Sequence, residues 1–237
     1  MDSGTLGLVL VLLLVPLIGV AAWWLQKKRH EQLDAWARGV GWEYVRTDPG
    51  YGLTRLHRNQ PFEQGHTRRA TEVLTGRWQG VPAVSYTYEW STGSGKERKT
   101  HGAHVVALAL PAYLPVLELT SEGLGARLAK ALGARDMQTE SVAFNEAYRV
   151  VAGDERVGHA ILHPRLMERL LHADARATDW RIEGTWIASW RSGRTDTSDI
   201  AGRLGVLHAV VRAVPRHVWQ DHGYDPLTHA GGAAPNG

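Results

Sequence analysis

Residues Leu6–Leu25, LGLVLVLLLVPLIGVAAWWL, form an apolar run without a charged side chain. A helix rises 1.5 Å per residue, so about 20 residues cross the hydrocarbon core of a bilayer. A backbone inside hydrocarbon must satisfy its own hydrogen bonds, which requires a helix, and Pro16 is tolerated in such a segment. The run therefore predicts a transmembrane helix over residues 6–25, and the rest of the chain must fold on the two sides of the membrane.

Charge asymmetry around the run predicts its orientation. Residues 1–5 carry one charged side chain, Asp2, whereas three cations follow the run directly. Cytoplasmic flanks are enriched in cations, and tryptophan rings gather at headgroup level. The predicted membrane-interface residues are Trp23, Trp24, Lys27, Lys28 and Arg29. We therefore expect a short extracytoplasmic N-terminus over residues 1–5 and a cytoplasmic C-terminal domain, in a single-pass protein of the cell membrane.

Two other interpretations of the run remain open. A cleaved secretory signal would use Gly19-Val20-Ala21 as its small-residue cleavage site and would export the domain. Such signals have a basic start and a shorter apolar region than this one. A buried core helix would normally show a polar face, which is missing here. A retained anchor fits the pattern better than either alternative.

Residues 26–41 predict a juxtamembrane helix that ends at Gly39 or Gly41. Its apolar residues recur at i, i+3, i+4 and i+7, namely Leu33, Trp36, Ala37 and Val40. Such a stripe needs one covering surface. The helix either lies on the membrane or a partner, or packs as a stalk against its own domain. The stalk is the commoner arrangement, and we expect it here.

The amino-acid composition limits the classes of partner that the chain can bind. There is no cysteine, which excludes a disulfide-linked partner, a thiolate metal site and a cysteine nucleophile. Without Asp2 and the three cations of the juxtamembrane cluster, 24 basic and 23 acidic side chains remain. Nucleic-acid-binding domains usually concentrate positive charge. We therefore expect no nucleic-acid partner, and expect the cationic cluster to meet anionic lipid.

An antiparallel β-meander is predicted between Thr71 and Leu110. Thr71–Trp78 and Val81–Trp90 are joined by the turn residues Gln79-Gly80, and the second strand alternates apolar and polar residues. Val105–Leu110 is apolar on both faces, which favours a central strand. A short strand over Trp42–Val45 precedes the meander.

The C-terminal half predicts mainly helices. Pro111–Pro115 is expected to break the sheet before a strand over Val116–Thr120, and a short helix over Glu122–Leu132 follows. Further on, Phe144–Ala152 is expected to be extended. Gly184 is expected to join two short strands as a hairpin or a bulged pair.

Caps mark three further helices. Asp154 caps a helix that reaches about Leu162, Pro164 begins a helix that reaches Leu171, and Asp196 caps a long helix that reaches about Val214. The fold class is therefore α+β, with a meander followed by C-terminal helices. We place this soluble domain at residues 42–222, either as one unit or as subdomains 42–120 and 121–222, and expect a disordered tail over residues 223–237.

Several segments together resemble a known family. They are Pro61-Phe62, VLTGRWQGVPAVSYTY from Val73, FNEAYRV from Phe144 and HAILHPRLMERL from His159. In this order they are similar to bacterial, actinobacterial-type single-pass membrane proteins of unknown function. The similarity spans most of residues 31–219. It implies an architecture and brings no catalytic or cofactor-binding residue.

His159 and His163 are the chain's weak candidates for metal ligands. Their i, i+4 spacing places two imidazoles on one face of a helix, as in zinc sites. However, Ala160 stands where a zinc hydrolase has its glutamate, and Pro164 disfavours helical backbone at His163. We therefore predict no metal, no cofactor and no catalytic residue.

Three functions from different classes follow from these patterns. The first is a non-catalytic interaction or scaffolding module at the cytoplasmic face of the membrane, with the bilayer and a protein as partners. The second is a histidine-dependent metal hydrolase. The third is a lipid-binding domain. The missing catalytic motifs and the nearly balanced charge favour the first.

Overall fold

The computed structural model describes residues 3–48, 65–121, 137–176 and 178–230, and within these ranges the side chains of Val15 to Thr228. Its first element is a continuous helix, α1 (Ser3–Val40), which contains both the apolar run and the juxtamembrane segment. Among the helices of these described residues, none has the length and apolar character that crossing a bilayer requires.

Helix α1 ends in a Schellman motif. Gly41 takes a positive φ of 71° and donates its N–H to the Arg38 carbonyl oxygen. The Trp42 N–H donates to the Ala37 carbonyl oxygen at 2.7 Å, and the Trp42 ring meets the Trp36 ring edge-on at a centroid distance of 5.8 Å. Glycine adopts this backbone without the Cβ penalty of other residues, which is why the helix stops at this position.

Within the described residues, six strands form one antiparallel sheet in which β1 to β5 are neighbours in sequence order and β6 pairs with β4. The strands are β1 (Glu43–Asp48), β2 (His66–Trp78), β3 (Val81–Thr92), β4 (Lys99–Ser121), β5 (Tyr148–Ala152) and β6 (Trp180–Ser192). The predicted meander over β2, β3 and β4 and the turn at Gln79-Gly80 are thereby confirmed.

Strand β4 organises the sheet. Its N-terminal half pairs with β3 and its C-terminal end pairs with β5 along the same edge, while β6 runs along the opposite edge. The expected break at Pro111–Pro115 is wrong, because β4 continues through both prolines. The register of β4 with β6 instead shifts between Ala109 and Leu114 and again before Leu117. Such irregularities accommodate residues that cannot donate to the ladder.

Gly184 forms no hairpin. It lies inside the single strand β6 at a positive φ of 66°, opposite Leu114. Of the two predicted alternatives, a hairpin or a bulged pair, the structure is nearer to the bulge, because the register of β4 with β6 is irregular on both sides of Gly184. Phe144–Ala152 is likewise only partly extended, because its first residues belong to a short helix.

The remaining helices follow the sheet. They are α2 (Val142–Ala147), α3 (Glu155–Ile161), α4 (Pro164–Leu171), α5 (Thr197–Ala213), α6 (Arg216–Asp221) and α7 (Pro226–Ala230). The side chains of Asp154 and Asp196 accept hydrogen bonds from the first turns of α3 and α5, and Pro164 begins α4. All three predicted helix starts are therefore observed.

The tail expected to be disordered over residues 223–237 is ordered in its first part, residues 223–230. Tyr224 packs edge-on against Trp219 at 6.0 Å, and the Asp225 carboxylate accepts two hydrogen bonds from the Arg216 guanidinium. Helix α7 follows. This order comes from one aromatic contact and one ion pair, which apolar periodicity does not reveal. The predicted helix over Glu122–Leu132 lies outside the described residues.

The main hydrophobic core lies between one face of the sheet and the helices. Leu33 and Ala37 of α1 are buried in it, so α1 packs as a stalk against its own domain. A second, smaller cluster consists of strand residues on the opposite face. Its members are Ala70, Val73, Val84, Tyr86, Tyr88, Trp90, Ala103, Val105, Ala107 and Ala188. Near the N-terminal end of α5, the buried residues of the helix-covered face are polar and include Glu72, Thr87 and His104.

Candidate functional site

A bulge in β2 creates the most unusual residue of the fold, Glu72. Thr71 pairs with Thr87 and Leu74 with Ser85, so Glu72 and Val73 together oppose one residue of β3. Glu72 takes a positive φ of 53°, which side-chain-bearing residues rarely adopt. Because the extra residue resets the alternation of the strand, the carboxylate of Glu72 reaches the helix-covered face.

Two arginines hold this carboxylate. Arg29 Nε donates to Glu72 Oε1 at 2.6 Å and Arg29 Nη2 donates to Oε2 at 2.8 Å, a bidentate pair. Arg194, from the turn after β6, also donates to Oε1. The carboxylate is 1 % exposed, whereas the Arg29 side chain is 32 % exposed. The ion pair therefore joins a helix face to a bulge that lies inside the sheet.

Two threonines complete the arrangement. The Thr87 hydroxyl donates to Glu72 Oε2 at 3.0 Å, and it accepts the Thr195 N–H at 2.8 Å. Arg29 Nη2 also donates to the Thr195 carbonyl oxygen at 2.7 Å. We call Arg29, Glu72, Thr87, Arg194 and Thr195 the α1 junction. It links α1, β2, β3 and the residues that lead into α5.

The charge of Glu72 is maintained in this setting. Burial acts to raise the pKa of its carboxyl, but the hydrogen bond from Arg29 and the charges of Arg194 and Arg29 outweigh it, and the net pKa lies below the usual value. A buried carboxylate is stable only when paired and hydrogen-bonded. The α1 junction meets this condition, so it holds α1 in place at neutral pH.

A second polar group is centred on His104 beside the junction. The imidazole Nε2 lies 2.8 Å from Ser85 Oγ. Its Nδ1 faces Arg203 Nη1 at 3.3 Å and the Asp196 N–H at 3.4 Å. Both of these groups are donors, so Nδ1 must carry a lone pair and Nε2 the proton. His104 is therefore a neutral imidazole.

Burial and the positive charge of Arg203 together lower the pKa of His104 to about 3. Arg203 is itself 1 % exposed in side chain, and burial lowers the pKa of its guanidinium to about 10. It donates to the His104 carbonyl oxygen, to Ser189 Oγ and to Asp199 Oδ2. His104 is thus a fixed acceptor in a packed interior and is closed to substrate.

The α1 junction and the His104 group have a structural role, because they hold neighbouring elements of the fold together. Their acceptors face donors of the same group, and the strongest contacts cross from one secondary-structure element to another. A cleft of about 290 Å³ lies beside them, lined by Arg29, Gln32, Leu33, Arg194, Thr195, Asp196 and Thr197. The arrangement fixes the direction in which α1 leaves the domain.

The predicted interface residues separate into two sets. The Lys27 ammonium lies 5.6 Å from the centre of the Trp23 ring, and Lys28 lies 5.2 Å from that of Trp24, which are cation–π distances. Both tryptophans are exposed. Arg29 instead turns toward the domain and binds Glu72. A role at the lipid interface stays a prediction for all five residues.

The two candidate metal ligands are not on one helix. His159 lies exposed on α3, whereas His163 has extended backbone, with φ −67° and ψ 160°, and caps α4. Its Nδ1 accepts the Leu166 N–H at 3.4 Å. Within the described part of the chain, no group of three or more His, Asp or Glu side chains is arranged to hold a metal ion.

Sequence reasoning missed Glu72, Thr87 and His104 as site residues. The residues beside Glu72 give no clue to the bulge, because Val73 and Leu74 alternate normally: Val73 lies in the smaller cluster and Leu74 in the main core on the opposite face. The partnership with Arg29 has no local clue either, since 43 residues separate the two.

Comparisons with known proteins give one fold relationship. No protein-family model matches the chain, and no curated protein matches it either. Among solved structures, the crystal structure of the mycobacterial trehalose monomycolate transport factor A, TtfA, is similar with a TM-score of 0.55 at 13 % sequence identity. The match covers 78 % of this chain and 96 % of that chain. At this identity the similarity concerns the fold.

Proposed function

We propose that this chain is a non-catalytic, membrane-tethered factor that holds a protein or lipid partner at the cytoplasmic face of the cell membrane. Residues 6–25 are the single span, residues 1–5 lie outside, and the α+β domain lies inside. This topology is also the one implied by the resemblance to actinobacterial-type single-pass membrane proteins.

The observation that carries the proposal is the α1 junction. Arg29 comes four residues after the apolar run and binds the buried carboxylate of Glu72 through two hydrogen bonds. Leu33 and Ala37 bury the next turns of the same helix. A flexible tether would need none of these contacts. A rigid connection is useful to a factor that must present a surface at a fixed height and angle above a membrane.

The exposed apolar surface of α1 supports the tether. Seven large apolar side chains between positions 15 and 25 are more than half exposed: Val15, Leu17, Ile18, Val20, Trp23, Trp24 and Leu25. Contiguous apolar surface of this kind marks membrane or protein contact. The cations that follow at Lys27 and Lys28 suit the cytoplasmic leaflet.

The fold neighbour supports the class of function. Its name describes a factor in the transport of trehalose monomycolate, a sugar ester of a long-chain acid and hence an amphiphile. We carry over the class alone, a factor that assists transport of an amphiphilic molecule. The partner of the present chain is then either the amphiphile or the protein that moves it.

In-cell photocrosslinking tests the proposal. A photoreactive amino acid replaces an exposed apolar residue of the domain, Val142 or Leu227, in three chains: the full chain, a chain lacking residues 2–25, and a chain whose residues 6–25 are exchanged for an unrelated transmembrane segment. We expect a discrete adduct in the membrane fraction of the full chain, its loss on truncation, and its return with the foreign segment.

Three results would refute the proposal. The first is an adduct that persists in the truncated chain, which would mean that tethering is irrelevant. The second is stoichiometric zinc in the purified full chain that is abolished by His159→Ala, which would support the hydrolase instead. The third is a C-terminal tag that protease reaches on intact cells, which would place the domain outside.

A further inference from the structure

An apolar cavity lies at the opposite end of α5 from the α1 junction. Its volume is about 650 Å³, within the range of small-molecule sites. The turn between β2 and β3, the middle of β4, the C-terminal end of α5, helix α6 and the segment before α7 form its walls. Its lining includes Ala109, Arg212, Arg216, Trp219 and Tyr224. We call it the distal cavity.

The distal cavity is far from the proposed membrane surface. Helix α5 begins beside Thr195, which binds Arg29, and its C-terminal end lines the cavity. Its 17 residues span about 25 Å at 1.5 Å per residue. In the proposed arrangement α1 also leads away from the bilayer, from Lys28 to Trp42, and the Trp42 ring donates to the Arg77 carbonyl oxygen just before Gly80 of the cavity lining. The cavity therefore lies on the side of the domain away from the bilayer, and an occupant must have left the bilayer.

The walls of the cavity are already formed. Trp219 lines it and is nevertheless only 4 % exposed. Tyr224 is held edge-on against Trp219, and the adjacent Asp225 is fixed by Arg216 and Gln220. These contacts hold the rim in one arrangement, so binding would require little reordering of the walls.

One positive charge at the rim is left uncompensated. Arg216 donates two hydrogen bonds to Asp225, at 3.0 and 2.8 Å, so its charge is matched. Arg212 is exposed on α5 and, among the described residues, makes no hydrogen bond or ion pair. The cavity thus combines apolar walls with a single available guanidinium at its mouth.

The chemistry of the walls favours an alkyl chain over a peptide. Among the described lining residues, only Arg212, Arg216, Trp219 and Tyr224 have polar groups in their side chains, and all four groups can donate a hydrogen bond. An extended peptide would bring an amide at every residue, and each amide needs a partner when buried. An alkyl chain needs none, and a negatively charged headgroup would pair with Arg212.

We propose that the distal cavity binds the acyl chain of a single-chain anionic amphiphile, with Arg212 at its headgroup. This inference deepens the proposed function, on which it rests, by assigning the lipid partner a site. The bound molecule is one that has been removed from the bilayer, because the cavity lies away from the membrane.

Photolabelling of the full chain in lipid nanodiscs tests this site. The probe is palmitate with a diazirine on its chain, and adducts are mapped by mass spectrometry after proteolysis. We expect adducts on the peptides that contain Trp219 and the β2–β3 turn. Ala109→Phe places a ring in the cavity and should remove them, whereas Ala201→Phe, on the exposed face of α5, should not.

A charge variant tests the headgroup contact independently of cavity shape. Arg212→Glu should reduce labelling by palmitate at least about tenfold, because it removes one charge-assisted hydrogen bond and places a like charge beside the headgroup. Labelling by the uncharged diazirine hexadecanol should be unchanged. Arg165→Glu, an exposed arginine on α4, is the matched control.

Three results would overturn the inference: adducts confined to residues 6–25, adducts in the cavity that Ala109→Phe leaves unchanged, or a photoreactive residue at Val81 that captures a discrete protein in cells in place of lipid. Failure here is separable from failure of the tether. A labelled cavity in a chain that is not membrane-bound would contradict only the proposed function, and an unlabelled cavity in a tethered chain only this inference.

Discussion

At the scale of single residues, Glu72 is the most demanding side chain of the molecule. Its backbone lies in the left-handed region and its carboxylate is buried, and each condition alone is unfavourable. The two guanidinium groups that bind it offset these terms. Replacing one partner leaves a buried charge with incomplete pairing, so the pair matters more to stability than surface ion pairs do.

Removing Arg29 should reveal this difference. We expect Arg29→Ala to lower the free energy of unfolding by about 2–3 kcal/mol, toward the low end for a broken buried pair because Arg29 is partly exposed and Arg194 remains. Arg38→Ala removes an exposed pair with Asp34 on the same helix and should change it by less than about 0.5 kcal/mol. Denaturant unfolding of the full chain in mild detergent gives both values. Equal effects of the two substitutions would show that the α1 junction contributes no more than a surface pair.

His104 should make the fold sensitive to weakly acidic solution. Its pKa is about 3 in the folded chain against an ordinary 6.5, so between these values the unfolded chain binds one more proton. Stability therefore falls as the pH falls, by about 2 kcal/mol between pH 7 and pH 5 from this site.

Urea unfolding at several pH values in that range measures the effect. His104→Gln should flatten the dependence, and the smaller part that remains is expected from His30 and His208, whose pKa values are also lowered by burial. The exposed His159→Gln is the control and should leave the wild-type slope. An unchanged slope in His104→Gln would mean that the imidazole is protonated in the folded chain.

At the scale of elements, the end of α1 depends on a close contact with β2. A Cβ atom built on Gly76 would lie 2.4 Å from the Trp42 ring, closer than any real contact. The Trp42 Nε1–H also donates to the Arg77 carbonyl oxygen at 3.3 Å. Trp42, which closes the Schellman motif, is thereby fixed against β2. The packed segment of α1 is thus held at its start by Arg29 and directly after its end by Trp42.

Gly76→Ala should displace Trp42 and lower the free energy of unfolding by about 1–3 kcal/mol, as overpacking usually does. Gly202→Ala is the matched control, because nothing lies within 4 Å of its added Cβ and alanine suits a helix better than glycine. Thermal unfolding followed by near-UV circular dichroism compares the two. Combining Gly76→Ala with Trp42→Leu should recover part of the loss, and strictly additive losses would exclude this contact as the cause.

The elements differ in how well their residues predict them. Asp154, Pro164 and Asp196 mark helix starts by local hydrogen bonds, so the three helices begin where expected. The break predicted at Pro111 and Pro115 is wrong for a local reason. A proline in a strand lacks one hydrogen-bond donor, and the irregular register between β4 and β6 accommodates the missing bond. Whether β4 continues depends on β5 and β6, and those lie far away in the sequence.

At the scale of the whole molecule, the α+β class and the meander follow from patterns within single segments. The candidate site does not, since Arg29, Glu72, Thr87 and Thr195 come from four separate parts of the chain and meet only in the folded state. Their residue types are also ordinary on a protein surface. Only the burial that accompanies folding distinguishes them, and burial is a property of the assembled sheet and helices.

We infer that α1 and the domain form one rigid body, held by the α1 junction. The chain has no cysteine, so spin labels introduced at Gln26 and Glu155 are the sole labelled positions. Double electron–electron resonance on the full chain in nanodiscs then gives their distance distribution. We predict one narrow distribution that broadens in Glu72→Ala and stays narrow in the control Arg38→Ala. A broad distribution in the unmodified junction would contradict the claim.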